Sequence, residues 1–379
     1  MIVAIVGCGF VADYYMTTFS LYPELKLAGV MDRDNIRAKV FAEHYSLPVY
    51  PSLEALINDK SVDIVINLTN PDNHFAVSKA CLEAGKNVYT EKPLSTNIDE
   101  ARQLVSLAEM KGLYICSAPC GLLGEAAQTV WKGLRENVVG KVRLVYAELN
   151  DGMVHQMPYK KWISASGAPW PYQDEFKIGC TMEHASYYLS WLVAFFGPAL
   201  TVSAFSSCVV PDKNTGVLFN KNPDFSVACI KFSSGVVARL TCSIIAPHDN
   251  SLRIIGDDGI LGIKECWNYR SPVFLTKRII TFGRKTYFNP FKQHLPLLGR
   301  KLYKSDYRTG WSPLRMDFCR GIADLGEAIR EGRSPRLSAS FSLHLNEVVL
   351  AIQNASENSS TYDVTSTFQP VEPMTWAKV

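Results

Sequence analysis

Residues 178–192 read IGCTMEHASYYLSWL, and positions 183–188 set a carboxylate, an imidazole and two phenols into an otherwise apolar run. At about 100° per residue the stretch reads as a helix whose core stripe is Met182, Ala185, Leu189, Leu192, Val193 and Phe196. Glu183, Tyr187 and Ser190 fall together on another face, because i and i+4 are neighbours on a helix. His184 sits roughly 60° beyond Tyr187 on the same wheel, towards Trp191. These are acid–base groups. Hydride transfer at a carbinol carbon needs a partner that takes or gives the hydroxyl proton. A tyrosine titrates near about 10 in water, and a lysine ammonium beside it lowers that value. The stretch is either a buried helix with a satisfied polar face or half of an active site.

The elements that would position it begin at the first residue. A chain of 379 residues exceeds one ordinary core, so two domains are expected. IVAIVG (2–7), KLAGVMD (26–32), VDIVINLT (62–69), NVYTEKP (87–93) and LYICSAP (113–119) have the apolar content of buried parallel strands. Helical patterns lie between them at 35–45, 74–85 and 98–112, and such alternation means a doubly wound sheet. The first turn, VGCGFVA, spaces Gly7, Gly9 and Ala12 as GxGxxA. Gly7 permits the tight turn, Gly9 lets the backbone approach a pyrophosphate, and Ala12 allows close helix–strand packing. Gly7, Cys8, Gly9, Phe10 and Val11 are thus expected along the phosphates, at a helix N-terminus with unpaired N–H groups. Asp32 ends the second strand, placed to accept hydrogen bonds from an adenosine ribose. It disfavours a 2′-phosphate, whereas Arg33 beside it could pair with one or stack on the adenine. NAD is expected over NADP.

The segment YTEKPLS (89–95) closes a strand at the edge of this crevice, and its Lys-Pro dipeptide is a candidate cis peptide that aims Lys92 into the cleft. In order, GxGxxA, MDRD, DIVINLTNPDNH and CLEAGKNVYTEKPLS resemble the glucose–fructose oxidoreductase, inositol dehydrogenase and rhizopine-catabolism (Gfo/Idh/MocA) family, without a break over residues 1–120. The resemblance implies NAD(P)-dependent oxidation or reduction of a sugar, sugar nucleotide or cyclitol. It places Thr69, Asn70, Pro71 and His74 along the cofactor, with Glu91 and Lys92 near the nicotinamide ribose. GxxxExxxY at 179–187 falls where the family has a carboxylate and then a histidine or tyrosine. On that basis Tyr187 is expected as proton donor or acceptor with Lys92, Glu183 as the holder of a substrate hydroxyl, and His184 as a substrate or supporting contact. One departure stands out: APCGLLGEAAQ (118–128) occupies the place where relatives often carry an asparagine and an arginine.

The expected fold is α/β: a Rossmann domain over 1–120, then an α+β domain over 121–379 with an open, mostly antiparallel sheet. A helix at 122–137 leads into strands read at 141–150, 199–210, 224–246, 251–267 and 273–288, with helices near 315–332 and 340–357 packing back between the domains. Residues 151–178 form a long connection rich in aromatics, glycine and proline, and such loops tend to be functional. Trp162, Trp170 and Tyr172 could form a platform for a sugar ring or staple the loop to its own domain; His155 lies in the same loop. A second segment, 283–308, carries seven Lys/Arg against the single acid Asp306. It reads as a solvated face, as a clamp for a phosphorylated or nucleotide-linked sugar, or, more weakly, as a contact with an anionic membrane surface.

Composition narrows the classes. A net charge of +3 gives no reason to expect nucleic acid, and the hydrophobic content of 47% is that of a globular chain. IVAIVG after Met1 has no basic n-region, and no run of about 18 apolar residues occurs, so a cytoplasmic protein is expected. The ten cysteines contain no CxxC pair and are expected as reduced, buried small residues; no metal site is assigned. The resemblance further implies a homodimer or homotetramer through the free face of the second sheet. An alternative from another class is a dinucleotide-binding regulator without turnover, and a third reading is an enzyme that oxidises a substrate transiently and regenerates its own bound cofactor.

Overall fold

The computed structural model describes residues 1–280, 286–299 and 316–378. The first sheet is built from β1 (Ile2–Val6), β2 (Lys26–Met31), β3 (Ile64–Asn67), β4 (Asn87–Thr90) and β5 (Ile115–Ser117). They pair in parallel in the order β2-β1-β3-β4-β5. The connections carry α1 (Phe10–Phe19), α2 (Asn35–Tyr45), α3 (Leu53–Asn58), α4 (His74–Glu83) and α5 (Ile98–Lys111). Val3, Ala4, Ile5, Ile64, Val65 and Ile66 are fully buried, as strands covered by helices on both faces must be. Their alternation splits the core. Ala4, Val6 and Val65 pack with Leu82, Leu104 and Val88, while Val3, Ile5 and Ile66 join a core that runs on into the second domain. Strand order reverses between β1 and β3, and the crevice of a doubly wound sheet opens at that switch, outside the carboxyl ends of the strands.

The rest of the chain runs through α6 (Glu125–Arg135), β6 (Val142–Asn150), α7 (Tyr172–Ile178), α8 (Cys180–Phe196), β7 (Ala199–Ser207), β8 (Phe225–Phe232) and β9 (Val237–Ser243). It continues with β10 (Leu252–Gly256), β11 (Gly259–Ile263), β12 (Val273–Ile280), β13 (Thr286–Phe288), β14 (Gln293–Leu295), α9 (Arg320–Glu331), α10 (Ala339–Gln353) and β15 (Ser360–Asp363). The second sheet has the order β13-β12-β11-β10-β6-β9-β8-β7-β15, with β14 beside β12. Its described pairs are antiparallel except β6 with β9, so it is mixed and mostly antiparallel. On β6, Val145, Ala147 and Leu149 are buried, while Tyr146 and Glu148 between them are only half-buried and Leu144 before them is exposed, the alternation of a sheet with one packed face.

Three expected strands are antiparallel pairs, and the third of them, 273–288, is β12 and β13. The run 224–246 folds as β8 and β9 around Ser233–Gly235, and 251–267 as β10 and β11 around Asp257 and Asp258. Continuous alternation hides a two- or three-residue reversal, and only Gly235, at φ +84, marks the first. The helices expected near 315–332 and 340–357 are α9 and α10. α10 lies between the domains: Ser117 N donates to Ser342 Oγ at 3.0 Å, and Ser95 N to Asn346 Oδ1 at 3.3 Å. Residues 283–285 and 300–308 of the basic segment lie outside the described residues.

The connection 151–178 crosses back as a strap. Ser166 donates its N–H to Asp13 Oδ1 at 3.0 Å and its hydroxyl to Asp13 Oδ2 at 2.7 Å, and Arg37 Nη1 donates to the Ser166 carbonyl at 3.0 Å. At its other end α7 meets the turn after β3, Asn70 donating to Asp174 and Lys177 to Asp72. Gly179 then reverses the chain from α7 into α8 at φ +90, where a Cβ would stand 3.0 Å from Pro223.

Candidate active site

The first domain delivers its crevice residues at the carboxyl ends of its strands. Gly7 follows β1 at φ +98, and a Cβ there would stand 2.6–2.7 Å from the Leu68 and Thr69 backbone, so only glycine lets the first loop sit against β3. At Gly9, the N-cap of α1, a Cβ would meet nothing within 4 Å, and no side chain caps the helix. Open space before an uncapped helix N-terminus suits the pyrophosphate of a dinucleotide. Asp32 Oδ2 accepts the Cys8 N–H at 2.8 Å and Oδ1 the Asp34 N–H at 2.9 Å, which fixes the carboxylate while leaving lone pairs for a ribose diol. Arg33 is exposed.

At the other end, β4 presents Glu91 and Lys92, and the Lys92–Pro93 peptide is cis. The Lys92 ammonium bonds to Glu183 on α8, both side chains being only 14% and 13% exposed. Burial opposes the Lys92 charge, but Glu183 and then Tyr187 outweigh it and raise the lysine above its ordinary range. Burial likewise works against the Glu183 charge, yet Lys92 and a hydrogen bond from Glu175 on α7 hold its carboxyl below the usual range. Glu175 moves oppositely. Burial, then repulsion from Glu183, pushes its carboxyl far up, so Glu175 carries the proton the two share. Tyr187 is raised by burial, and the pull of Lys92 downwards does not prevail. This corrects the expectation of a lowered phenol: the cluster is a protonated tyrosine and an ammonium–carboxylate pair backed by a carboxylic acid. Desolvation decides it, because a phenolate here would lose its hydration shell.

Trp267 stands over this group, its ring 5.7 Å from Tyr187 and 5.7 Å from His184. His184 Nδ1 lies 3.1 Å from the Cys180 carbonyl, and Nε2 3.6 Å from Asp151 Oδ2. Ser190, expected on the Tyr187 face, is fully buried and turns its hydroxyl to the Tyr187 carbonyl.

Several expected contacts are placed differently. His74 is 1% exposed, with Nδ1 2.7 Å from the Pro93 carbonyl and Nε2 2.8 Å from that of Thr69. It ties the β3 loop to the Lys92–Pro93 loop from beneath and does not line the crevice. Glu91 is likewise spent, accepting from the Tyr15 hydroxyl at 2.7 Å and the Lys92 N–H at 3.0 Å. Thr69 Oγ1 donates to Asn67 Oδ1 at 2.7 Å, and Asn70 reaches the strap; Pro71 opens the short turn between them and α4. Phe10 packs edge-on to Tyr14, and Val11 is half-buried. Trp162 and Trp170 contact each other at 4.9 Å, while Tyr159 gathers Trp170, Tyr172 and Phe176. Partly buried against the core, they pack as staples do, because a strap with little regular structure is held by buried aromatic area. His155 meets Gln156. Glu175, Asp151, Ser166 and Trp267 went unread in the sequence. A carboxylate on an amphipathic stretch looks like surface until the strap's path puts it beside Glu183.

Comparison with known proteins agrees with this arrangement. Residues 1–118 match the oxidoreductase family with an NAD-binding Rossmann fold, and residues 127–262 match the GFO/IDH/MocA C-terminal domain. The chain belongs to the Gfo/Idh/MocA family. Within and around it, trans-1,2-dihydrobenzene-1,2-diol dehydrogenase of Bos taurus is 28% identical over 268 residues, covering 70% of this chain and 74% of the relative. An oxidoreductase from Agrobacterium radiobacter, solved with NAD+, L-tartaric acid and magnesium, superposes with a TM-score of 0.75 at 15% identity, covering 96% and 98% of the two chains. A 3-ketoreductase from Actinomadura kijaniata, solved with TDP-benzene and NADP, gives 0.69 at 20% identity over 94% and 98%. The fold is theirs, an α/β Rossmann domain with a mixed second sheet. Among the described residues no helix is long and apolar enough to cross a membrane.

Proposed function

We propose that this chain is an NAD(P)-dependent dehydrogenase or ketoreductase acting on a secondary carbinol or ketone of a sugar, sugar nucleotide, cyclitol or related cyclic diol. The observation that carries the reading is the meeting of Lys92, Glu183 and Tyr187 beside the Gly7–Asp32 crevice. A regulator has no use for an ammonium and a protonated phenol at that point. Gly7, Gly9 and the α1 N-terminus would hold the pyrophosphate, and Asp32 the ribose. The nicotinamide, when bound, supplies or accepts the hydride. Tyr187 then gives its proton to the carbonyl oxygen in reduction, or takes the hydroxyl proton in oxidation while passing its own on. Lys92 lowers the cost of negative charge on either oxygen, and Glu183 orients Lys92 and accepts from a substrate hydroxyl. The trans-diol relative fits a site in which one hydroxyl reacts and its neighbour is held. NAD is favoured because the Asp32 carboxylate at the end of β2 would repel a 2′-phosphate, and a homodimer or homotetramer is the family-like assembly.

The test is Tyr187→Phe and Lys92→Ala, assayed with nucleotide sugars, free polyols and cyclic diols by nicotinamide absorbance and by NADH titration. Turnover should fall by about 10² or more while NADH affinity is kept. Asp32→Ala should weaken NADH binding more than NADPH binding. Full turnover in Tyr187→Phe would overturn the assignment, and a tenfold preference of the wild type for NADPH would sink the Asp32 argument.

A further inference from the structure

Oxidation releases a proton as well as a hydride, and the cluster at Tyr187 has little room for it. Lys92 and Glu175 carry protons already, and Glu183 is committed to Lys92. One group beside them is built differently. His184 precedes Tyr187 by three residues on α8, so their side chains are neighbours, and both rings flank Trp267. A carbonyl can only accept, so the 3.1 Å contact of Nδ1 with the Cys180 oxygen places the ring proton on Nδ1. Nε2 is left with its lone pair towards Asp151 Oδ2 at 3.6 Å. Two acceptors face each other, and a proton on Nε2 turns that mismatch into an ion pair. The His184 side chain is 11% exposed and that of Asp151 34%, so the pair leads from the buried cluster to the surface at the end of β6. The other charged groups bearing on the imidazole are Glu183 on its own helix and, around Trp267, His248 paired with Glu265 at 3.3 Å.

We propose that His184, held by Asp151, takes up the proton displaced at Tyr187 during oxidation and hands it to solvent. The proposal rests on the dehydrogenase reading above. The carbinol C–H leaves as hydride to the nicotinamide and the C–O bond becomes C=O. The hydroxyl proton goes to the Tyr187 oxygen as the Tyr187 proton moves, across one bridging hydroxyl or water, to His184 Nε2. The resulting imidazolium pairs with the Asp151 carboxylate and then loses its proton to water. In reduction the path runs backwards. His184 and Asp151 act through Tyr187 and are positioning residues for the proton, not groups on the reacting carbon.

Two measurements test it. In the enzyme without cofactor, nitrogen NMR of the neutral His184 ring should show the Nδ1–H tautomer. An Nε2–H tautomer overturns the proposal whether or not a substrate is known. In turnover, His184→Ala should lower oxidation kcat by about tenfold or more, lose the acid limb of the kcat profile and recover with added imidazole, with NADH affinity kept. A loss that imidazole does not repair, or an unchanged acid limb, sinks it. Silence of the wild type, or full activity of Tyr187→Phe, would instead be a failure of the dehydrogenase reading.

Discussion

Glu175 and Glu183 show how a carboxyl's protonation is set by its own burial and by its neighbours' charge. Both are carboxylates on adjoining helices, yet burial and repulsion raise one while Lys92 lowers the other. The consequence for stability can be signed. A carboxyl with a raised folded pKa binds more protons folded than unfolded, so its contribution declines as pH rises above the unfolded value of about 4.3. Glu175→Gln keeps a donor towards Glu183 without that liability. Its Tm should exceed the wild type's by about 2 °C or more at neutral pH, with the gain shrinking as pH falls towards the unfolded carboxylate range. A lower Tm at neutral pH would show that Glu175 is ionised in the fold. Glu183 carries the opposite sign: its depressed pKa stabilises above the unfolded value and is lost as pH falls through the folded one.

At the scale of elements, the strap from 151 to 178 joins the two ends of the crevice. It is latched by Ser166 to Asp13 and Arg37, and by α7 to Asn70 and Asp72. α7 and α8 carry Glu175 and Glu183 to each other across a single reversal at Gly179. A side chain there must adopt φ +90 and press against Pro223. Gly179→Ala should therefore cost about 1–3 kcal/mol, read as a lower denaturant midpoint. It should also reduce turnover several-fold, because the two carboxyls shift apart. Unchanged stability and turnover would mean the reversal does not set their spacing. A second tether lies at α10, where Glu347 accepts from Tyr362, Thr365 and Ser366 and is held down at about 2.

For the whole molecule, among the described residues the second sheet buries one face on its helices and leaves the other open. On that open face Arg239 and Arg253 stack on Tyr146, their guanidinium carbons 4.7 and 5.4 Å from the ring centroid, and Arg239 also pairs with Glu148. Leu144 beside them is 39% exposed. An aromatic–arginine surface of this kind suits association, so sedimentation should give a dimer or larger at micromolar concentration. Tyr146→Glu with Leu144→Glu should shift it to monomer without loss of secondary structure. A monomeric wild type would refute the expected assembly.

The local grammar of this protein is sequence-determined. Strand–helix alternation, the GxGxxA turn with Asp32, the Lys92–Pro93 dipeptide and the face of α8 shared by Glu183 and Tyr187 all rest on spacing within one element or one turn. Tertiary structure decided what depends on approach between distant segments. The strap brought Glu175 against Glu183 and Asp151 against His184, and packed Trp162 on Trp170. The β3 and β4 loops enclosed His74 between two carbonyls. Burial reversed the expected direction at Tyr187, since the cost of desolvating a charge depends on everything packed around it and a residue's sequence neighbours record only a small part of that shell.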